Sequence, residues 1–238
     1  MSRLFPDRLR IGLAPAEVSV ARSRGVLRKR LVEQKTLGCD PGFGAQPWHG
    51  ALAALKQLDT AARATVILSN HFVRYAIVPW SDALAGPAEE EAYVRHHFAR
   101  IHGERAKSWV LRWSESGGGA RLASAIDKAL LEALKRSLPR LASVQPYLMA
   151  AINRWGKSIP RSGAWLALVE ADRACIALHA GGRWRSVQNA RGEWLALLDR
   201  ERHRSDGELP DLALVAGAQA DARAPGWKFQ QLKGGFVH

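Results

Sequence analysis

Cysteine is scarce: two residues, Cys39 and Cys175, in a chain of 238. Two thiols cannot form a disulfide framework or a cysteine-built zinc site, and they fit a reducing compartment. The chain also lacks any run approaching the ~18 apolar residues that a membrane-crossing helix requires. Its longest apolar stretches, 165–170 and 211–218, are strand-sized. The opening residues MSRLFPDRLRIGL carry charge but no apolar segment of signal-peptide length. A soluble cytoplasmic protein is therefore expected, touching a membrane only peripherally or through a partner. Acidic residues are in deficit, 22 Asp+Glu against 35 Lys+Arg, which leaves a net charge of +13 and a pI near 10.5. That balance brings nucleic acid, an anionic membrane face and acidic proteins into consideration. Of the basic residues 26 are Arg and 9 are Lys, a bias that genome composition also produces.

What is present is ordinary globular material: 47% hydrophobic and 24% charged residues, enough chain for one or two cored domains. In RLRIGLAPAEVSV (8–20), apolar residues alternate on both sides of Pro15, predicting two strands and a turn. A third strand follows Gly25 within VLRKRLVEQKTL, and residues 38–48 are Gly- and Pro-rich loop. HGALAALKQL (49–58) reads as a short helix with Leu52, Leu55 and Leu58 on one face. Residues 65–79 are strand-like, broken by a turn near Ser69-Asn70. Pro87 and Glu89 to Glu91 open a helix that runs through Tyr93, Val94, Phe98 and Ile101 to Gly103. A strand at 108–113 and a turn at Gly117 to Gly119 come next. Residues 120–138 have a helical stripe of Leu122, Ile126, Leu130, Ala133, Leu134 and Leu138, stopped by Pro139. A short strand at 141–144 and a helix at 147–155 complete this half.

GKSIPRSG (156–163) reads as a linker, after which the opening order returns. Strands are expected at 164–170, 174–179 and 184–188, a helix at 193–203 and a strand at 211–215. Strand–strand–strand–helix–strand thus occurs twice, predicting α/β layers. The expected division is 1–158, with a helical insert, and a shorter half, 159–238.

This duplicated order resembles the actin-like ATPase fold, whose halves are ribonuclease-H-like with mixed sheets flanked by helices. Residues 108–155, ending in YLMAAINRW, are similar to a segment of PilM-type pilus assembly proteins and of the cytoplasmic part of GspL-type secretion proteins. HFVRYAIVPW and the acidic-start helix with Tyr93 and Phe98 resemble the aromatic strand, proline and helix of those proteins. The resemblance spans most of residues 8–218. It implies a non-catalytic cytoplasmic scaffold, peripheral to the bacterial inner membrane, in type IV pilus assembly or type II secretion. Its implied partners are an inner-membrane assembly protein with a short cytoplasmic tail and a secretion or pilus ATPase; a homodimer is also allowed. A chain ending at His238 without a membrane span is more similar to the separate PilM-type arrangement.

ATP-binding members of the superfamily carry Asp-x-Gly in the first hairpin, a second such motif, and paired glycines after a late strand. Glycine in these loops lets backbone approach phosphate. Here Gly12 and Ala14 occupy the first pair of positions, and Glu170-Ala171-Asp172 the second. LALVAGAQA (212–220) has only Gly217. No cofactor is expected, although an ATPase with divergent phosphate loops stays open as an alternative. The fold also admits a basic nucleic-acid-binding protein. A two-metal nuclease, however, needs a first-strand carboxylate that RLRIGLA lacks.

Other candidates read as structural. His96, His97 and His102 have poor ligand spacing on a helix, so no metal site is expected. Ser69-Asn70-His71 reads as a turn. Gly117 to Gly119 lack the Lys-Ser/Thr of a P-loop. Trp165 and Trp194 read as core; Trp48, Trp80 and Trp227 lie in expected loops, where they read as core or loop anchors, with partner contact the alternative. Two basic clusters are the candidate partner-binding surfaces, for an acidic protein or anionic lipid. Residues 22–35, with Arg28 and Arg30, carry a local +5. Arg121, Lys128 and Lys135 recur every seven residues along one face of the expected helix. Aromatics are not interleaved with these charges, so nucleic acid is the weaker partner.

Overall fold

The computed structural model describes residues 7–25, 30–80, 83–114, 119–217 and 224–234. In chain order the first elements are β1 (Asp7–Leu13), β2 (Glu17–Arg24), β3 (Arg30–Gly38), α1 (His49–Leu55), β4 (Arg63–Leu68) and β5 (Val73–Val78). Then come α2 (Pro87–His102), β6 (Trp109–Trp113), β7 (Arg121–Asp127), α3 (Lys128–Ser137), β8 (Leu141–Pro146) and α4 (Tyr147–Trp155). The last are β9 (Ala164–Glu170), β10 (Arg173–Ala180), β11 (Arg183–Arg191), α5 (Trp194–Arg204), β12 (Leu212–Ala216) and β13 (Lys228–Gln231).

These form a five-stranded sheet β3-β2-β1-β4-β8, a second, β11-β10-β9-β12-β13, and a three-stranded sheet, β5-β7-β6. The large sheets match strand for strand. β1 pairs antiparallel with β2 and parallel with β4, as β9 does with β10 and β12. The outer partners also agree: β2–β3 and β10–β11 are antiparallel, β4–β8 and β12–β13 parallel. The repeat read from the sequence is therefore a repeat of topology.

Two compact units interleave along the chain. The first draws its described residues from Met1–Val73, Asp127–Ala150 and Gly234–His238, the second from Arg74–Ile126 and Ala151–Lys233. The two large sheets lie on either side of residue 158, but residues 74–126 belong to the same unit as the second sheet.

In the first unit, alternation in β1 buries Leu9, Ile11 and Leu13, at 2%, 0% and 0% exposure. β4 is buried on both faces from Val66 to Leu68, as expected of a strand paired parallel on each side. Helix α1 packs on β2 and α3, and α3 packs on β8. In the second unit, Trp165, Ile176, Leu178, Leu198 and Val215 join α5 to its sheet. The α5 N-terminus is capped by Glu193, whose carboxylate accepts from the Leu195 and Ala196 amides at 2.9 and 2.7 Å. Val94 and Phe98 of α2 pack over the small sheet with Val78, Leu111, Ala123 and Ala125.

One expectation is corrected, and two features are added to the pattern. Residues 120–138 are not one helix: 121–127 form β7, the central strand of the small sheet, and only Lys128–Ser137 is helical. Leu122 to Ile126 are all buried, which a one-sided helix would not require. Asp127 caps the new helix, accepting from the Ala129 amide at 2.8 Å. The four-residue spacing of Leu122, Ile126 and Leu130 simply crosses this junction. Ile101, on the same helix as the buried Val94 and Phe98, is 57% exposed. Finally, β13 (KFQQ) closes the second sheet; with one apolar residue in four and an edge position, it has no strand periodicity to read.

Phe98 is fully buried and Ile101 is not, so truncation separates them. Phe98→Ala should cost about 3–5 kcal/mol, and Ile101→Ala less than about 0.5 kcal/mol, as measured by urea denaturation.

Candidate functional site

Phosphate chemistry in the resembled fold depends on the turns after β1 and β9. The first is Ala14-Pro15-Ala16, closed by the Ala14 amide donating to the Glu17 carbonyl at 2.9 Å. It offers no carboxylate, and Gly12 lies within β1, flanked by Ser19 and Ile67. In the second turn the Asp172 carboxylate lies 3.2 Å from Arg191 Nε. Arg173 beside it donates to the Asn189 side chain at 3.1 Å, and its own burial, then neighbouring Arg191, lower its pKa. Both turns are thus held by contacts inside their own units. Gly217, with φ of +88°, sits where any Cβ would strike the Val169 carbonyl, so its glycine is required by packing against β9. Residues 218–220 of the late motif lie outside the described residues.

The remaining chemical candidates are integrated into packing. Ser69 caps a short 3-10 turn, accepting from the His71 amide at 3.1 Å, and is itself buried. His102 lies between Phe98 and Trp109, with ring centroids at 6.1 and 5.0 Å. Burial lowers the pKa of His97 and of His102. Among the described residues no three His, Cys, Asp or Glu side chains gather as a metal set. Burial raises the thiol pKa of both Cys39 and Cys175, keeping them protonated and poorly nucleophilic.

The basic clusters are divided by their surroundings. Arg22 bonds Asp59 at 2.8 Å and lies 3.8 Å from Asp7 and 3.6 Å from Glu33, while Arg24 bonds Asp7 at 2.8 Å. Hydrogen bonds from Arg24 and Arg22 hold Asp7 and Asp59, respectively, below the usual carboxylate range. Two of the six basic residues of this stretch are therefore paired with acids outside it. Arg30 is exposed at the edge of its sheet; Arg28 lies outside the described residues. Arg121 does not share a helix face with Lys128 and Lys135, because it is on β7. Its guanidinium stacks over Trp80, 3.4 Å from the ring centroid, and approaches Glu90 at 3.6 Å, with the side chain 15% exposed. Lys128 and Lys135 remain on α3, where Lys128 reaches Glu132 at 3.9 Å. The loop tryptophans are packed too: Trp48 is 7% exposed, and Trp227 donates to Asp199 at 2.6 Å beneath Arg202.

One concave surface was missed at the sequence level. In the first unit a groove of about 620 Å³ opens between α1 and α3. Trp48, Leu52 and Ala133 form its largely buried apolar floor, Phe43 from the preceding loop is the exposed apolar side chain, and Lys56 and Arg136 supply charge. Its only advance signal was an aromatic residue between two glycines, Gly42-Phe43-Gly44, in a loop that otherwise reads as turn.

No family model and no curated protein matches the sequence. Solved structures do. The cytoplasmic domain of EpsL, an inner-membrane component of the type II secretion system of Vibrio cholerae, is similar at 14% identity and TM-score 0.67, over 97% of this chain and 91% of that one. A PilM–PilN type IV pilus biogenesis complex matches at 16% identity and TM-score 0.63, over 95% and 88%. A Bacteroides thetaiotaomicron protein with an actin-like ATPase fold matches at 13% identity and TM-score 0.59, over 90% and 83%. The chain has the actin-like fold. No helix among the described residues is long and apolar enough to cross a membrane.

The setting of Arg121 makes it a structural residue of the small sheet. Arg121→Glu should cost about 2 kcal/mol or more by removing the stack on Trp80 and facing Glu90 with like charge. Lys128→Glu and Lys135→Glu should stay within about 0.5 kcal/mol. Thermal denaturation of the three variants checks the contrast.

Proposed function

We propose that the chain is a non-catalytic component of the inner-membrane assembly platform of a type II secretion or type IV pilus machine. On this reading it lies on the cytoplasmic face, binds the cytoplasmic segment of a membrane partner and contacts the assembly ATPase. The observation that carries the proposal is the likeness to the EpsL cytoplasmic domain over 97% of the chain. The PilM–PilN complex supports a binding role, since there a chain of this fold is paired with a second protein. The platform reading also suits the +13 charge, which favours residence beside an anionic leaflet.

The phosphate-turn residues support a role without nucleotide hydrolysis. Gly12 and Ala14 supply neither carboxylate nor close backbone approach in the first turn. In the second, Asp172 would set a negative charge against phosphate.

The test is genetic and biochemical. Deleting the gene should abolish secretion or surface piliation, and the purified chain should retain the cytoplasmic segment of a single-span platform protein of its host. Normal secretion and normal pili in the deletion strain overturn the proposal. Calorimetric titration with Mg-ATP should show no binding tighter than about 1 mM, which corresponds to about −4 kcal/mol. Micromolar binding would return the chain to the nucleotide-dependent members of the fold.

A further inference from the structure

The α1–α3 groove is built rather than incidental. Its loop is folded onto α1 at Gly50, where any Cβ would collide with the Asp40 carbonyl. The Asp40 side chain accepts from the Gly42 amide at 2.8 Å, and the Asp40 carbonyl from the Phe43 amide at 3.2 Å. The Gln46 carbonyl in turn accepts from the His49 amide at 3.1 Å. These bonds fix Phe43 at the groove with 54% of its surface exposed, while Trp48 and Leu52 behind it are 7% and 8% exposed. About half of Phe43 thus stays in water, and that half contributes nothing to folding.

The charge is one-sided. Lys56 and Arg136 line the groove, and no lining residue carries a carboxylate. Both cations also stand at helix C-terminal ends, where the helix dipole favours them. That accounts for their sign but not for the exposed ring beside them. Apolar surface next to unopposed cations selects a ligand with the complementary pair of properties. The volume falls within the about 300–1,000 Å³ of ligand clefts, and seven-residue α1 is only about 10 Å long. There is room for one or two bulky side chains and their immediate neighbours.

We propose that the α1–α3 groove docks a short acidic segment of a partner protein, with a bulky apolar side chain seated against the exposed face of Phe43, over the largely buried Trp48 and Leu52, and carboxylates facing Lys56 and Arg136. The inference deepens the platform reading by giving one partner's chemistry, and rests on it only for which protein supplies the segment.

The test uses the full chain and a synthetic peptide alternating Leu and Glu. Amide shifts in heteronuclear NMR should concentrate in residues 42–56 and 133–137. Lys56→Glu with Arg136→Glu should weaken binding about tenfold or more. Ala53→Trp, which fills the groove without changing charge, should weaken it comparably, with circular dichroism confirming each fold. A peptide with Ala in place of Leu and one with Lys in place of Glu should both fail to bind. The proposal is overturned if shifts scatter over the basic surface, if the Ala peptide binds equally well, or if neither variant weakens binding. None of those results touches the deletion phenotype, so the groove and the platform role fail separately.

Discussion

Parallel pairing of a central strand organises both large sheets. β1 lies beside β4, and β9 beside β12, in the same direction. Strands paired this way cannot be joined by a tight turn, so the chain must leave the sheet and return. In each sheet it does so through an antiparallel hairpin extension and a helix, α1 or α5. Strands enclosed in this manner are buried on both faces, which explains the apolar residues of β4 and the burial of β9 from Ala164 to Leu168. Trp165 is fully buried there, and its indole nitrogen donates to the Pro210 carbonyl at 3.1 Å.

The same topology fixes where chemistry would occur. Ligands of open α/β sheets gather beyond the carboxyl ends of parallel strands. For β1 and β9 those ends run into the two hairpin turns, and there the chain has an Ala-Pro-Ala turn and an aspartate engaged by arginine. The first turn offers no carboxylate; the second carries Glu170 and Asp172, with Asp172 set against Arg191. Charge shows a related effect. A net +13 is a property of the whole chain, whereas Arg22 and Arg121 are matched locally by carboxylates or an aromatic face. Lys56 and Arg136, at the C-terminal ends of α1 and α3, face no lining carboxylate. Recognition of an acidic partner depends on that local distribution, because matched charges contribute little to an external field.

Strand order was legible because alternation, Gly/Pro turns and capping residues agree over short windows. Leu9, Ile11 and Leu13 alternate, Pro87 with its glutamates opens α2, and Gly103 ends it with φ of +65°. The strand within residues 120–138 is hidden in the sequence because Leu, Ala, Ser and Ile buried on both faces have no period of two. Its leucine spacing ran on into a true helix, and the one local clue, Asp127 as a cap, lay inside the apparent stripe.

By itself the sequence determined the duplicated order of elements, the absence of a long apolar run and the residues that occupy the two hairpin turns. Each depends on residues within a few positions of one another. Only the tertiary structure decided that Arg121 belongs to a sheet and an aromatic stack, that Arg22 is matched by Asp59, and that Phe43, Lys56 and Arg136 share one groove. These contacts join residues far apart in the chain, and strand pairing and helix packing bring them together, so no local pattern records them.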